Sequence, residues 1–440
     1  MYTTIRRRGG CWAWVAVFAF GVLAVNVEAR SGRYLIVAAQ DFGGSAAVAQ
    51  LAAARVAQGL DVIVYTVPVG TTKETIRGII QGWYDPAWRG YVLIVGDSDS
   101  STAPSTATTI PHWEGGGWHT ATTDLPYACM DGAADWYPEV SIGRFAVDTV
   151  AQLQAAVTKT LLVESGEFAD PAYVQRAAML ATADAGTGAE PTHNWVIANY
   201  LTPAGFTSTK VYASQGGGTA QITAAVNAGA LFTVYFGHSS FTSWWDPAFN
   251  TANVQALSNA GLYGVVLAVS CGTAQFNWSY GETLGEFWIR EPNKGAAAYI
   301  GTTDLIWSAP SEAWESVRRL EKYFFQSFFV DDEWEVGPAW QAACYRLLAD
   351  PDYGPNHQHT RDYFEMFVLL GDPALRLPHF GIGSGDYDED GDVDLGDLAR
   401  LQACADHAAL GDCAPGNVAG GQVVDFADLQ AFCSLLGGPG

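Results

Sequence analysis

The stretch LYGVVLAVSCGTAQFNW, from Leu262 to Trp278, contains an apolar run that stops abruptly at a cysteine. The run Val265–Val269 shows no alternation of polar and apolar residues, which is typical of a strand buried on both faces of a sheet. Parallel sheets covered by helices contain such strands, and their functional side chains gather at the carboxyl ends of the strands. Cys271 therefore stands where a reactive side chain is expected.

The pattern of apolar strands and helical stretches extends outward from this run. Residues 34–97 read as strand, helix, strand, helix, strand, and a long helix is predicted over residues 148–165. Strands recur in RAAMLATADAG, ALFTVYFGHSS and GAAAYIGTTD, whereas the segment 122–147 interrupts the pattern with turn residues and acids. We therefore predict an α/β fold, a parallel-sheet catalytic domain in two halves, residues 30–165 and 166–380.

Three strands of the second half end on polar residues, namely Asp184, His238 and Cys271. A thiol attacks a carbonyl only as the thiolate, so it needs a base, which His238 can supply and Asp184 can orient. The backbone amides of Cys271 and Ser239 are expected to bind the oxyanion. Two alternatives stay open, because Cys271 also fits a small core residue and His238 a turn residue.

Several motifs resemble, in order, those of the gingipain-type cysteine peptidases, whose catalytic domain is caspase-like. They are VLIVGDSD (92–99), TTDLPYACMDGAADWYPEVSIGR (122–144), GHSSFTSWWDP (237–247), VSCGTAQF (269–276) and LLGDPALRL (369–377). The resemblance implies a caspase-like fold with Cys271 as nucleophile, His238 as acid and base, and Asp184 as its partner. The sequence departs from the family pattern at His238. Family members usually have a glycine after this histidine, whereas here the glycine precedes it.

The resemblance also bears on substrate recognition. Asp135 aligns with an acid that lies in the primary specificity pocket of arginine-specific relatives, and Ser239 is expected to contact the substrate through its amide. The alternative for Asp135 is an acid in a turn or a calcium site. In lysine-specific relatives another acid follows the strand here ending in YIGTT, but neither Asp304 nor Glu312 aligns with it cleanly.

Residues 381–440 follow a glycine-rich joint and contain the loop DYDEDGDVDLGD. Its acids and central glycine match an EF-hand calcium loop, in which alternate oxygens converge on one ion. The predicted ligands are Asp386, Asp388, Asp390, Asp392, Asp394 and Asp397. The loop and the helices around it resemble a small all-α, EF-hand-like dockerin with one structural calcium ion and a cohesin-like partner. The alternative is a calcium-stabilised tail without a partner.

The three cysteines of this tail, Cys404, Cys413 and Cys433, are expected to include a disulfide, because an exported protein meets an oxidising environment. Which two of them pair cannot be read from their spacing. Export itself is predicted from residues 1–29, where three arginines, an apolar stretch and a small-residue ending form a signal peptide.

The formal net charge of −24 argues against binding to nucleic acid or to anionic lipid. No membrane span is expected after removal of the signal peptide, which predicts a secreted or cell-surface-associated protein. We therefore expect a secreted cysteine endopeptidase that acts on protein or peptide substrates. The alternatives are a transpeptidase of the same fold and a non-catalytic surface binding protein.

Overall fold

The computed structural model describes residues 32–378, apart from residues 118, 133, 167, 169 and 307–311, and a few isolated positions beyond. The predicted signal peptide and the calcium loop at 386–397 lie outside the described residues. Among the isolated positions described beyond residue 378, Cys404 is disulfide-bonded. Among the described residues, no helix combines the length and the apolar character needed to cross a membrane.

The described strands form one large sheet and two small ones. The large sheet has ten strands in the order β2-β1-β3-β6-β15-β14-β13-β9-β7-β8, β10 to β12 form a three-stranded sheet, and β4 pairs with β5. The strands are β1 (Gly32–Ala39), β2 (Asp61–Val67), β3 (Arg89–Val95), β4 (Trp113–Glu114), β5 (Thr122–Thr123), β6 (Ser141–Phe145), β7 (Arg176–Ala181), β8 (Thr207–Tyr212), β9 (Phe232–Phe236), β10 (Ser239–Ser240), β11 (Ser243–Trp245), β12 (Ala248–Asn250), β13 (Val265–Val269), β14 (Ala298–Thr302) and β15 (Phe367–Leu370).

Helices connect the parallel strands of the large sheet and bury its apolar strands. They are α1 (Ala46–Ala57), α2 (Lys73–Trp83), α3 (Leu125–Ala128), α4 (Val150–Ser165), α5 (Ala189–Val196), α6 (Thr219–Asn227), α7 (Thr251–Gln255), α8 (Leu284–Arg290), α9 (Glu312–Phe329), α10 (Val336–Ala349) and α11 (Gln358–Met366). Short 3-10 turns span Pro171–Gln175, Ala185–Thr187 and Ala213–Gln215, and a π-helical turn spans Ile197–Leu201.

The sheet is mostly parallel, but its two halves run in opposite directions. Strands β2, β1, β3 and β6 are parallel to one another, and so are β14, β13, β9, β7 and β8. Between them, β15 is parallel to β6 and antiparallel to β14. The expectation of a parallel sheet therefore fails at β15, and the carboxyl ends of the two halves lie at opposite edges.

Strand β6 was not predicted, because the segment around it is rich in turn residues. The strand also contains a charged residue, Arg144. The structure accommodates this arginine by pairing it with Asp124, through two hydrogen bonds of 2.7 Å. Its guanidinium also donates to the carbonyl oxygens of Gly96 and Ile110. A buried arginine is tolerated where its donors are satisfied, so a charged residue does not exclude a central strand here.

Candidate active site

The carboxyl ends of β7, β9 and β13 bring the three predicted catalytic residues to one edge of the sheet. These strands are parallel neighbours, and the last residues of all three are register partners. His238 and Cys271 come two residues after the ends of β9 and β13, and Asp184 comes three residues after the end of β7. Residues that are far apart in the sequence therefore lie close together at the carboxyl ends of these strands.

His238 is paired with the carboxylate predicted to orient it. Its Nε2 lies 2.9 Å from Asp184 Oδ2, while Asp184 Oδ1 accepts a hydrogen bond of 2.9 Å from Gly186 N. The bond with His238, and then the bond with the Gly186 amide, hold the pKa of Asp184 below its ordinary value. The carboxylate is therefore ionised at neutral pH and fixes the plane of the imidazole.

Cys271 is a partly buried free cysteine. Its Sγ lies 3.9 Å from the carbonyl oxygen of Ile306. Burial raises the pKa of the Cys271 thiol, and the negative charge of Asp304 raises it further. The thiol is therefore protonated at rest, and a base must take its proton before it can act as a nucleophile.

Ser239 joins the two strand ends that carry the cysteine and the histidine. Its side chain is buried, and its Oγ donates a hydrogen bond of 2.6 Å to the carbonyl oxygen of Cys271. Trp245 N donates to His238 O, so these two residues form a hydrogen-bonded pair. Because the two kinds of pair alternate along an antiparallel ladder, the next pair of β10 and β11, Ser239 and Trp244, is not hydrogen-bonded. The Ser239 N–H consequently points away from β11, as an oxyanion donor would.

Two side chains that the sequence analysis did not single out hold the backbone on either side of Asp184. Arg318, on α9, donates through Nε to the carbonyl oxygen of Thr187 at 2.6 Å and through Nη2 to that of Gly186 at 2.9 Å. Asp246 Oδ2 accepts a hydrogen bond of 2.9 Å from Ala183 N. Asp246 lies within the motif GHSSFTSWWDP, whereas no motif marks Arg318, which acts on the turn from a distant segment.

The long loop between β3 and β6 reaches across to the active edge and covers Asp304. His119 N donates to Asp304 Oδ2 at 2.7 Å, and Thr122 Oγ1 donates to Asn277 Oδ1 at 2.5 Å. Gly117 has a φ of +117°, and a Cβ there would lie 2.5 Å from Asp304 Oδ2. Only glycine allows the backbone to pass so close to this buried carboxylate.

Asp135 lies on the same loop, beside Asp131 and Glu139. One oxygen from each of the three carboxylates lies within 4.8 Å of the others, an arrangement that could hold a metal ion. Asp135 itself accepts hydrogen bonds from Asp131 N at 2.9 Å and from Tyr137 N at 3.0 Å. Its carboxylate therefore already has backbone partners, which is compatible with either role considered for it from the sequence.

Comparisons with known proteins bear on the family of the chain. The profile of peptidase family C25 matches residues 28–378. A Lys-gingipain of Porphyromonas gingivalis is 29% identical over 329 residues, which cover 70% of this chain and 18% of that protein. Gingipain R2 of the same organism is 28% identical over 234 residues, which cover 52% of this chain and 30% of that protein. The chain thus spans less than a third of the length of either relative.

Solved structures share the fold. The crystal structure of the Arg-specific cysteine proteinase gingipain R superposes with a TM-score of 0.66 at 22% identity, and the match covers 79% of this chain and 78% of that one. The complex of the pro- and mature domains of Porphyromonas gingivalis RgpB gives a TM-score of 0.67 at 21% identity, covering 79% of this chain and 80% of that one. With the family profile spanning most of the sequence, the chain belongs to peptidase family C25, which confirms the predicted enzyme class, a cysteine-type endopeptidase.

Proposed function

We propose that this chain is a secreted cysteine endopeptidase in which Cys271 is the nucleophile, His238 the general acid and base, and Asp184 the residue that orients the imidazole. The observation that carries the proposal is the convergence of these three side chains at the ends of adjacent parallel strands, with His238 bonded to Asp184 at 2.9 Å.

The reaction begins with transfer of the thiol proton of Cys271 to His238. Because Asp184 holds Nε2, the proton goes to Nδ1, and the imidazolium is stabilised by the ionised carboxylate. The thiolate then attacks the carbonyl carbon of the scissile bond and forms a tetrahedral oxyanion. The N–H groups of Cys271 and Ser239 are positioned to donate to this oxygen.

Collapse of the tetrahedral intermediate breaks the C–N bond, and His238 gives its proton to the leaving amine. The acyl group then remains on the sulfur of Cys271 as a thioester. Water, deprotonated by His238, attacks this thioester and releases the new carboxyl terminus and the thiol.

The substrate class we propose is a peptide with a basic residue before the scissile bond. Asp304 is buried and close enough to Cys271 to raise the pKa of its thiol, while Asp135 lies in a cluster of three carboxylates. The half-buried Asp135 offers its carboxylate to a guanidinium or an ammonium group, whereas Asp304 would bind one in exchange for its contacts with His119. The names of the relatives, Lys-gingipain and an Arg-specific proteinase, favour the same preference.

A peptide-library digest tests both the reaction and the preference. Wild type should cleave after Arg or Lys, and Cys271→Ala should abolish cleavage while the protein keeps its fold. If Asp135→Ala loses the preference for basic residues, Asp135 lies in the specificity pocket. If Asp304→Asn loses this preference, Asp304 lies there. Cleavage that persists in the Cys271 variant would refute the mechanism, and cleavage only after apolar residues would refute the substrate class.

Two alternatives remain distinguishable by the products. A transpeptidase would join the acyl group to an added amine, so mass spectrometry of the new carboxyl terminus separates transfer from hydrolysis. A non-catalytic surface binding protein on a peptidase scaffold would leave every peptide intact and would not react with a thiol-directed affinity reagent at Cys271.

The secreted location and the function of the tail are proposed from the sequence alone. The acids between Asp386 and Asp397 are proposed to bind one calcium ion, which orders the tail for a cohesin-like partner. An affinity measurement between the full chain and a panel of cohesin domains, with calcium and with a chelator, tests this part independently of peptidase activity.

A further inference from the structure

An exposed tryptophan stands beside the proposed general acid. Trp245 is the last residue of β11, its side chain is 59% exposed, and its ring centroid lies 6.3 Å from that of His238. Large aromatic side chains are usually buried, so an exposed one next to a reactive group suggests contact with a ligand. Nothing in the reaction proposed above uses this ring.

The backbone holds Trp245 firmly in this position. Its N–H donates to His238 O at 3.0 Å, and it pairs with Ala248 across the β11–β12 ladder. The preceding residue, Trp244, is buried and stacks on Tyr235 with a centroid distance of 4.6 Å. Because side chains alternate along a strand, burial of Trp244 turns Trp245 outward. The backbone therefore fixes the side of the strand on which the indole lies.

The chemistry of the leaving group places a specific part of the substrate against this indole. His238 must reach the nitrogen of the leaving amine in order to protonate it. The residue that begins with this nitrogen, the first one after the scissile bond, therefore lies beside the imidazole. We propose that Trp245 forms the subsite for the side chain of that residue and selects aromatic or large apolar side chains there.

The charges around the subsite favour an apolar occupant. A basic side chain against Trp245 would lie beside the imidazolium that His238 becomes during the reaction, and like charges repel. An acidic side chain would approach the carboxylate of Asp184, 2.9 Å from the same ring. An apolar ring or branched chain meets neither penalty and gains contact area on the indole.

This inference rests on the proposed function and is tested with peptides that differ only in the residue after the scissile bond. Phe, Leu, Gly, Lys and Glu are compared at this position behind a common basic residue. In the wild type, kcat/KM for the Phe peptide should exceed that for the Gly peptide by about tenfold, the range that an apolar contact in a subsite supplies. The Lys and Glu peptides should fall at or below the Gly peptide.

Substitution of the ring then assigns the preference to Trp245. In Trp245→Ala the ratio of Phe to Gly should approach one, while Trp245→Phe should retain most of it. Trp88→Ala provides a matched control, because Trp88 is 49% exposed and lies before β3, in the other half of the sheet. This control should keep the wild-type ratio, and melting curves of all variants report on their folding.

The outcomes separate this inference from the proposed function. Hydrolysis of all five peptides at equal rates by the wild type overturns the subsite and leaves the peptidase intact. A ratio unchanged in Trp245→Ala assigns the preference to another residue and also overturns it. Failure to hydrolyse any peptide overturns the peptidase proposal and the subsite with it.

Discussion

The hydrogen bond from Ser239 to Cys271 offers a sharp test of how the two strand ends are held together. Ser239→Ala removes the Oγ that donates to the carbonyl oxygen of Cys271 at 2.6 Å, a bond between a buried side chain and a partly buried residue. Loss of one such bond costs about 1 kcal/mol, and the carbonyl left without this donor adds to the cost, for a total of about 1–3 kcal/mol.

In a domain of this size, that change in the free energy of unfolding corresponds to a decrease in Tm of about 1–4 °C. The catalytic effect should be larger than the effect on stability. Because the bond fixes the nucleophile relative to the segment of His238, its loss lets the reacting groups drift by a fraction of an ångström or more. Misplacement on that scale costs about 10-fold to 100-fold in rate.

The assay compares kcat and KM of Ser239→Ala with those of Ser240→Ala on one basic peptide. Ser240 is the neighbouring residue, and its Oγ bonds only locally, 2.9 Å from Ser243 Oγ. We expect kcat to fall in Ser239→Ala with little change in KM, while the control stays within about twofold of the wild type. Equal activity of the two variants would refute the argument that this bond positions the nucleophile.

Three further predictions concern the thiol, the Asp184 turn and the tail. Asp304→Asn removes a charge that raises the pKa of Cys271, so alkylation by iodoacetamide at pH 7 should become faster; an unchanged or slower rate would contradict the assignment. Arg318→Ala should lower kcat about tenfold with little change in KM, and Arg318→Lys should recover part of it, because the arginine holds the turn after Asp184; a change confined to Tm would show a purely structural role. Calorimetry of the full chain should show that Asp390→Ala loses one tight calcium ion, and identical titrations would place calcium elsewhere.

The sequence predicted the strands whose signal is local. Strand β13 and its neighbour β9 are continuous apolar runs, and their positions follow from composition alone. Strand β8 was missed because it is the outermost strand of the large sheet and its first four residues are polar. The reversal of β15 was also missed, since no residue within Phe367–Leu370 encodes the direction in which the strand enters the sheet.

The residues of the candidate site also differ in whether a local sequence pattern predicts them. Asp184, His238 and Cys271 could be proposed from the sequence because each is a polar residue that ends a strand, a pattern visible in one short segment at a time. Arg318 was missed because its function depends on the packing of α9 against a turn more than 100 residues earlier in the chain. Side chains that bond to backbone atoms leave no spacing rule in the sequence, so only coordinates reveal them.

The opposite directions of the two halves explain how the first half contributes to the site. Its own strands end at the opposite end of the sheet, and the loop between β3 and β6 brings it to Asp304 and Asn277. That loop carries both Asp135 and His119, and His119 contacts Asp304 beside the thiol. In the proposed function, residues of this loop surround the substrate, while the proposed reacting groups come from the ends of strands. Changes in this loop should alter which side chains are accepted before the scissile bond, with the geometry of the nucleophile and its base left as the sheet sets it.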